Sequence, residues 1–320
     1  MIKKILASAV LIGATFCTLP AHAQFQDNSI RYWNSDAFRE PDTNLTGTGT
    51  NPFDPSEGKT AHNIMKNVIS FTHVDGGNKF GDNFVNMDIL KSNAGDPTAT
   101  TCGMPFTNCS SPSVNTIGAI ELYFVYRHNI SLSKLTKKKL AFGPIKDVLF
   151  TAGVDLETKN TEFAPEKKTP VFGPTFAIKI KKGFWDVSTL WVKEWNHNGY
   201  GAYLPNPAIY NANGGVNFRS QVMVASAWLY PFKVGKAPFT FEGFGNIASS
   251  KGPDGSGNGT KPETLLHPKL MYNFGSLVGE KHNWQLGVGY EYWEHKFGED
   301  SKLNPGSVQN APFVELAIHL

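Results

Sequence analysis

Trp284-Gln285-Leu286-Gly287-Val288-Gly289-Tyr290-Glu291-Tyr292 decides the fold. Trp284, Leu286, Val288, Tyr290 and Tyr292 take every second position, and Gln285, Gly287, Gly289 and Glu291 fill the places between. A strand points successive side chains to opposite sides, so this segment has one greasy face and one small or polar face. The alternation recurs along nearly the whole chain. Val85, Met87 and Ile89 oppose Asn86 and Asp88; Ile120, Leu122, Phe124 and Tyr126 oppose Glu121 and Arg127. Val148, Phe150, Ala152 and Val154 share a face, as do Trp185, Val187, Thr189 and Trp191. The chain ends on Val314, Leu316, Ile318 and Leu320 opposite Glu315, Ala317 and His319.

The links between these segments switch in a strict rhythm. Long, Gly/Asn/Pro-rich stretches (39–61, 92–116, 197–215, 250–261) alternate with tight ones such as Gly76-Gly77-Asn78 and Lys181-Lys182-Gly183. Outer-membrane β-barrels have this layout, with long loops outside the cell and short turns in the periplasm. About twelve strands of roughly 10 residues are expected, each long enough to cross the hydrocarbon when tilted. An even count returns both termini to the periplasm. The sheet must close, because every unpaired backbone N–H or C=O in lipid costs several kcal/mol. Trp185, Trp228, Tyr230, Trp284 and Tyr292, at strand ends, would form interfacial girdles. No break in the pattern marks a domain boundary. Residues 24–320 therefore read as one all-β domain, a closed antiparallel transmembrane β-barrel. The competing architecture is a secreted β-sandwich, which uses the same period but has no need of the loop rhythm.

The first residues read as an export signal. Lys3 and Lys4 precede an apolar run from Ile5 to Leu19, and Ala21-His22-Ala23 is a small-x-small cleavage site, so residues 1–23 are expected to be removed. Cys17 leaves with them. Cys102 and Cys109 remain in a Ser/Thr/Pro-rich segment, and in an exported protein such a pair favours a loop disulfide over a metal site. Lys plus Arg number 30 against 27 Asp plus Glu, a net charge of +3, which is no footprint for nucleic acid. No later stretch is a spanning helix. Mean hydropathy is slightly negative, as a barrel with a polar lumen allows. No nucleophile elbow, HExxH, phosphate loop or dinucleotide fingerprint occurs, so neither catalysis nor a cofactor is expected. The nine His are scattered, which leaves a barrel lipid hydrolase using Ser and His as the catalytic alternative. Lys137-Lys138-Lys139 reads as a solvated periplasmic turn.

Polar faces pointing into a watery lumen supply the candidate binding residues. Glu121 and Arg127 share one strand face. Glu194, Asn196 and Asn198 share a face at the outer end of another, with His197 beside them. Aromatics on inward faces are more telling, since a ring in water gains by stacking on a flat ligand. Phe244 shares a face with Glu242 and Asn246, and Trp293 with Glu291 and Gln285. The alternative role for these rings is to fill gaps against loops folded inward.

Several stretches together resemble the Tsx-type nucleoside-specific channels of the Gram-negative outer membrane. They are Ile120–Arg127 leading into Leu132-Ser133-Lys134-Leu135; Leu140-Ala141-Phe142-Gly143-Pro144-Ile145-Lys146-Asp147; Lys193-Glu194-Trp195-Asn196-His197-Asn198-Gly199; Phe241-Glu242-Gly243-Phe244-Gly245-Asn246; and Gly287-Val288-Gly289-Tyr290-Glu291-Tyr292-Trp293. The resemblance implies a monomeric barrel with a narrow lumen in the outer-membrane lipid. It also implies passive uptake of nucleosides over weak aromatic and ionisable sites, and external loops that phage or colicins can use. It transfers no binding residue one for one. The chain departs from the pattern in ending on Leu320 and in its Cys pair. The second functional reading is a surface receptor or adhesin whose barrel is only an anchor.

Overall fold

A half-apolar strand needs a hydrogen-bonded neighbour on each edge, and here every long strand has both. The computed structural model describes residues 25–41, 63–78, 81–93, 96, 118–161, 164–197, 214–254, 257–279 and 284–320. The signal segment and the Cys102–Cys109 pair lie outside them. The strands are β1 (Phe25–Phe38), β2 (Ile64–Asn78), β3 (Gly81–Ser92), β4 (Ile120–Ser131), β5 (Ile145–Lys159), β6 (Glu166–Ile178) and β7 (Phe184–Val192). They continue as β8 (Trp195–His197), β9 (Gly215–Asn217), β10 (Gln221–Val234), β11 (Ala237–Ala248), β12 (Glu263–Asn273), β13 (Trp284–Glu294) and β14 (Gln309–His319). All pair antiparallel in one sheet. The twelve long strands close on themselves in chain order, β1 pairing with β14 and β5 with β6. Ser29 stands opposite His319 and Asn34 opposite Val314 at the closing seam. The expected closed barrel is the structure, and a two-sheet sandwich is not.

The distribution of side chains is inside-out. Leu286 and Val288 are 48% and 58% exposed on the outer surface, whereas Glu242, Gln285, Glu291 and Glu315 are buried within. Ile69, Phe150, Val222, Leu270 and Val314 also face outward and exposed. Water would make such a surface unfavourable by about 25 cal/mol per Å² of apolar area, while hydrocarbon accepts it. Near the ends of β10–β12, Tyr230, Phe232, Phe239 and Tyr272 form a chain of rings with centroids 6.4, 5.8 and 5.3 Å apart. Trp185 donates Nε1–H to Ser226 Oγ at 3.0 Å. These rings make the girdle at the end where the termini meet.

One expectation about the connections is corrected. The loop rhythm is not strict. At the end carrying the long links, β5 and β6 are joined by 160–165 alone, because both strands run on past the apolar band. Glu157 pairs with Lys167 and Thr158 with Glu166 there, a polar extension whose outward face carries no hydrophobic signal. At the opposite end, 132–144 holds a short helix, α1 (Leu132–Thr136), and Lys137–Lys139 follow it exposed, as the sequence suggested. Ser131 caps it by accepting from Lys134 N at 3.1 Å, and Lys137 ends it in the left-handed region at φ 55. Asp147 on β5 accepts from the hydroxyls of Ser131 and Ser133. Tight turning at 179–183 requires Gly183, at φ +74, since a Cβ there would sit 1.8 Å from Leu229 O.

Candidate functional site

Inward positions are set by parity, so each strand contributes alternate side chains to one shared lumen. In its middle, Arg31 on β1 donates from Nη1 to Glu242 Oε1 on β11 at 2.6 Å and to Glu315 Oε1 on β14 at 2.7 Å. Lys269 on β12 donates to both Glu315 oxygens at 3.0 and 3.1 Å and lies 3.3 Å from Glu242 Oε1. β1 and β11 stand four places apart around the ring, so this contact crosses the lumen instead of following its wall. Two cations and two carboxylates balance, which is what buried charge requires.

Next to the quartet lies a continuous array of rings. Phe244 on β11 stacks on His267 of β12, centroids 5.1 Å apart and planes 11° apart. His267 stacks on Phe313 of β14 at 4.7 Å. Phe313 meets Trp33 of β1 at 4.7 Å, and Trp33 stacks on Phe38 at 5.5 Å. Trp33, Phe38 and Phe313 are buried together with Ile64 and Val68. Phe244 is the open end of the array, still 38% exposed. His267 Nδ1 lies 2.9 Å from Glu291 Oε2, Gln309 donates from Nε2 to Glu291 Oε1 at 2.5 Å, and Lys296 donates to Gln309 at 3.3 Å. A polar chain thus ties the rings to the end of the lumen carrying the long links.

At that end Lys66 donates to Glu40 and, at 3.2 Å, to Glu121 Oε2. Lys296 reaches Glu40 at 3.0 Å, and Lys159 reaches Asp96 at 2.6 Å. Burial alone would push the Glu40 carboxyl up, but the charges of Lys159, Lys296 and Lys66 hold it well below the ordinary value of 4.5. A carboxyl lowered in the folded state adds stability that is complete above its unfolded value and is lost as pH falls through the folded one. The share of the barrel's heat-modification midpoint that Glu40 contributes is therefore expected to be complete above about pH 4.5 and to be lost as pH falls below it. Glu40→Gln should lower the neutral-pH midpoint and flatten part of the acid drop. Equal acid slopes in both proteins would remove Glu40 from this role.

Two further ion clusters lie among the inward groups. Arg127 donates to both oxygens of Asp155, at 2.5 and 3.1 Å, and Lys167 lies over the Tyr123 ring at 5.6 Å. Glu194, just beyond β7, accepts from Lys251 at 2.8 Å and from Asn196 Nδ2 at 3.0 Å. Burial would raise the Glu194 carboxyl, yet the charges of Lys251 and Lys167 and these hydrogen bonds hold it below its ordinary value. Among the described residues no group of three or more His, Cys, Asp or Glu is placed to hold a metal.

All eight residues singled out from sequence, Glu121, Arg127, Glu194, Asn196, Glu242, Phe244, Glu291 and Trp293, belong to inward-facing positions or to the lumen's end. They do not form one site. Glu121 and Arg127 share a face but serve separate ion clusters. Trp293 is not an open platform: it donates Nε1–H to Glu263 at 2.8 Å, Lys296 lies over its face at 4.7 Å and Phe297 meets its edge. Of the two rings, Phe244 is the one that ends a stack. Arg31, Lys269, His267, Trp33 and Phe313 were missed. Their signal was register, since Phe244 stands directly opposite His267.

A closed antiparallel barrel, apolar outside and ion-paired within, defines the class: an outer-membrane β-barrel of the Gram-negative type. No family model and no curated protein sequence matches the chain. Among solved structures it is similar to the NanC porin (TM-score 0.40, 8% identity, covering 92% of this chain and 100% of that one). It is also similar to the KdgM porin (0.38, 9%, 92% and 98%) and to outer-membrane-expressed OmpT of Vibrio cholerae (0.33, 10%, 94% and 98%). Likeness at this level says nothing about a solute.

Proposed function

We propose that the chain is an outer-membrane channel that passes small polar solutes carrying a flat ring, nucleosides first, by facilitated diffusion. The observation that carries this reading is the open face of Phe244 within the lumen. It is backed by His267 and lies two residues along β11 from Glu242 of the charged quartet. A base can stack on the ring for about 1–3 kcal/mol while charged groups meet its polar edges and the ribose. Such binding is weak enough for release, as conduction requires. The resemblance to Tsx-type channels in the stretches quoted above supports the same solute.

In planar bilayers, millimolar adenosine or thymidine is expected to reduce ion current through the purified protein. Phe244→Ala should raise the half-blocking concentration about tenfold, the loss of one stack, with little change in open conductance. Current indifferent to both nucleosides would overturn the solute assignment. The anchor reading, a receptor for phage, colicin or another surface ligand acting as a monomer, is favoured by the quartet crossing the lumen. It predicts no single-channel conductance at all.

A further inference from the structure

Half of one barrel rim is a dense field of lysines. The connections 132–144, 179–183 and 235–236 are consecutive around the ring, joining β4–β5, β6–β7 and β10–β11. With the strand ends beside them they carry Lys134, Lys137, Lys138, Lys139, Lys146, Lys179, Lys181, Lys182, Lys233 and Lys236, all exposed. Residues 132–146, 179–183 and 233–236 contain no Asp or Glu. The other connections at this end, 79–80 and 274–283, carry only Lys79 and Lys281 against Glu280. The chain as a whole is nearly neutral, at +3, so this asymmetry is local.

Two features say what the field faces. The lysines are interleaved with exposed apolar side chains, Leu135 at 68% and Phe142 at 57%, on the connection that α1 shapes. The sector also adjoins the outward aromatic girdle of Trp185, Tyr230, Phe232 and Phe239. Apolar groups followed by ammonium groups are the order of a bilayer met from its hydrocarbon outward. Two of the three turns are also fixed to one another: Lys179 donates its backbone N–H to Pro144 O and its Nζ to Gly143 O, both at 2.8 Å. The field is thus a held surface, and a soluble acidic partner would have no use for its greasy component.

We infer that this sector of the periplasmic rim binds anionic phospholipid headgroups of the inner leaflet, such as phosphatidylglycerol. The lysines would meet phosphates while Leu135 and Phe142 enter the acyl boundary. The full chain is placed in nanodiscs of equal phosphatidylethanolamine and phosphatidylglycerol, and the lipid it retains on extraction is measured by native mass spectrometry. Phosphatidylglycerol is expected to be enriched about threefold, and less so as salt rises. Enrichment should fall to parity in a variant with Lys137, Lys138, Lys139, Lys181 and Lys182 all changed to Ser, and persist in Lys302→Ser, a change in a loop at the other end. Parity in the wild-type protein, salt-independent enrichment, or enrichment untouched by the fivefold change in a variant that still shifts on unheated gels would each overturn it. So would polyglutamate binding to the protein in neutral-lipid discs that the fivefold change abolishes while lipid retention stays. If the fivefold variant does not fold, the salt series on the wild-type protein decides.

Discussion

Arg31→Met is expected to lower the barrel's stability by about 3–5 kcal/mol and to make the lumen more cation-selective. The change removes one of two cations from a balanced quartet. Glu242 and Glu315 stay buried, with Lys269 alone between them. An uncompensated carboxylate in low dielectric costs far more than the pair contributed, which is why loss of one partner exceeds loss of both. The check is the temperature at which the folded band converts to the unfolded one on gels, together with the reversal potential in a salt gradient. Arg31→Met/Glu242→Gln should recover a large part of the loss by restoring one cation to one carboxylate. A single variant that converts at the wild-type temperature would mean that water solvates Glu242 and Glu315 in place of Arg31.

Much of the fold was legible because lipid enforces it. A strand such as Trp284–Tyr292 cannot place Leu286 and Val288 anywhere but outside, so strand number, faces and closure follow from period two. Legibility fails where lipid stops acting. Beyond the apolar band, Glu157 and Thr158 still pair with Lys167 and Glu166, but the outward Thr158–Glu166 pair carries no hydrophobic mark. The candidate site was legible by face and not by partner. Parity puts Glu242 and Arg31 inward, yet their contact joins strands four places apart, and only the curvature of the closed sheet brings them together. Trp293 shows the opposite failure. Its face was right, but Lys296 and Phe297, both in the connection after β13, cover it.

Gly289→Val should strongly disrupt the lumen wall, and Gly289→Ala is a graded version of it. Gly289 stands opposite Phe313 across β13 and β14, and the Phe313 ring lies over it. A Cβ at 289 would come within 2.2 Å of Phe313 Cζ, and the next nearest atoms, at 2.5 and 2.8 Å, belong to the same ring. The conflict is therefore with a single side chain. The ring cannot slide freely, because His267 stacks on it and Trp33 packs beside it. Overpacking of this kind costs about 1–3 kcal/mol for one methyl, and a branched side chain should cost more. Phe313→Leu alone removes ring contacts and destabilises, but Gly289→Ala/Phe313→Leu should be less damaging than the two single effects added. That positive coupling is the signature of a shared space. The same ring backs His267, which backs Phe244, so Gly289→Ala should also weaken current block by adenosine if Phe244 is the stacking surface. Strict additivity of the two changes would show that Phe313 already has another place to go.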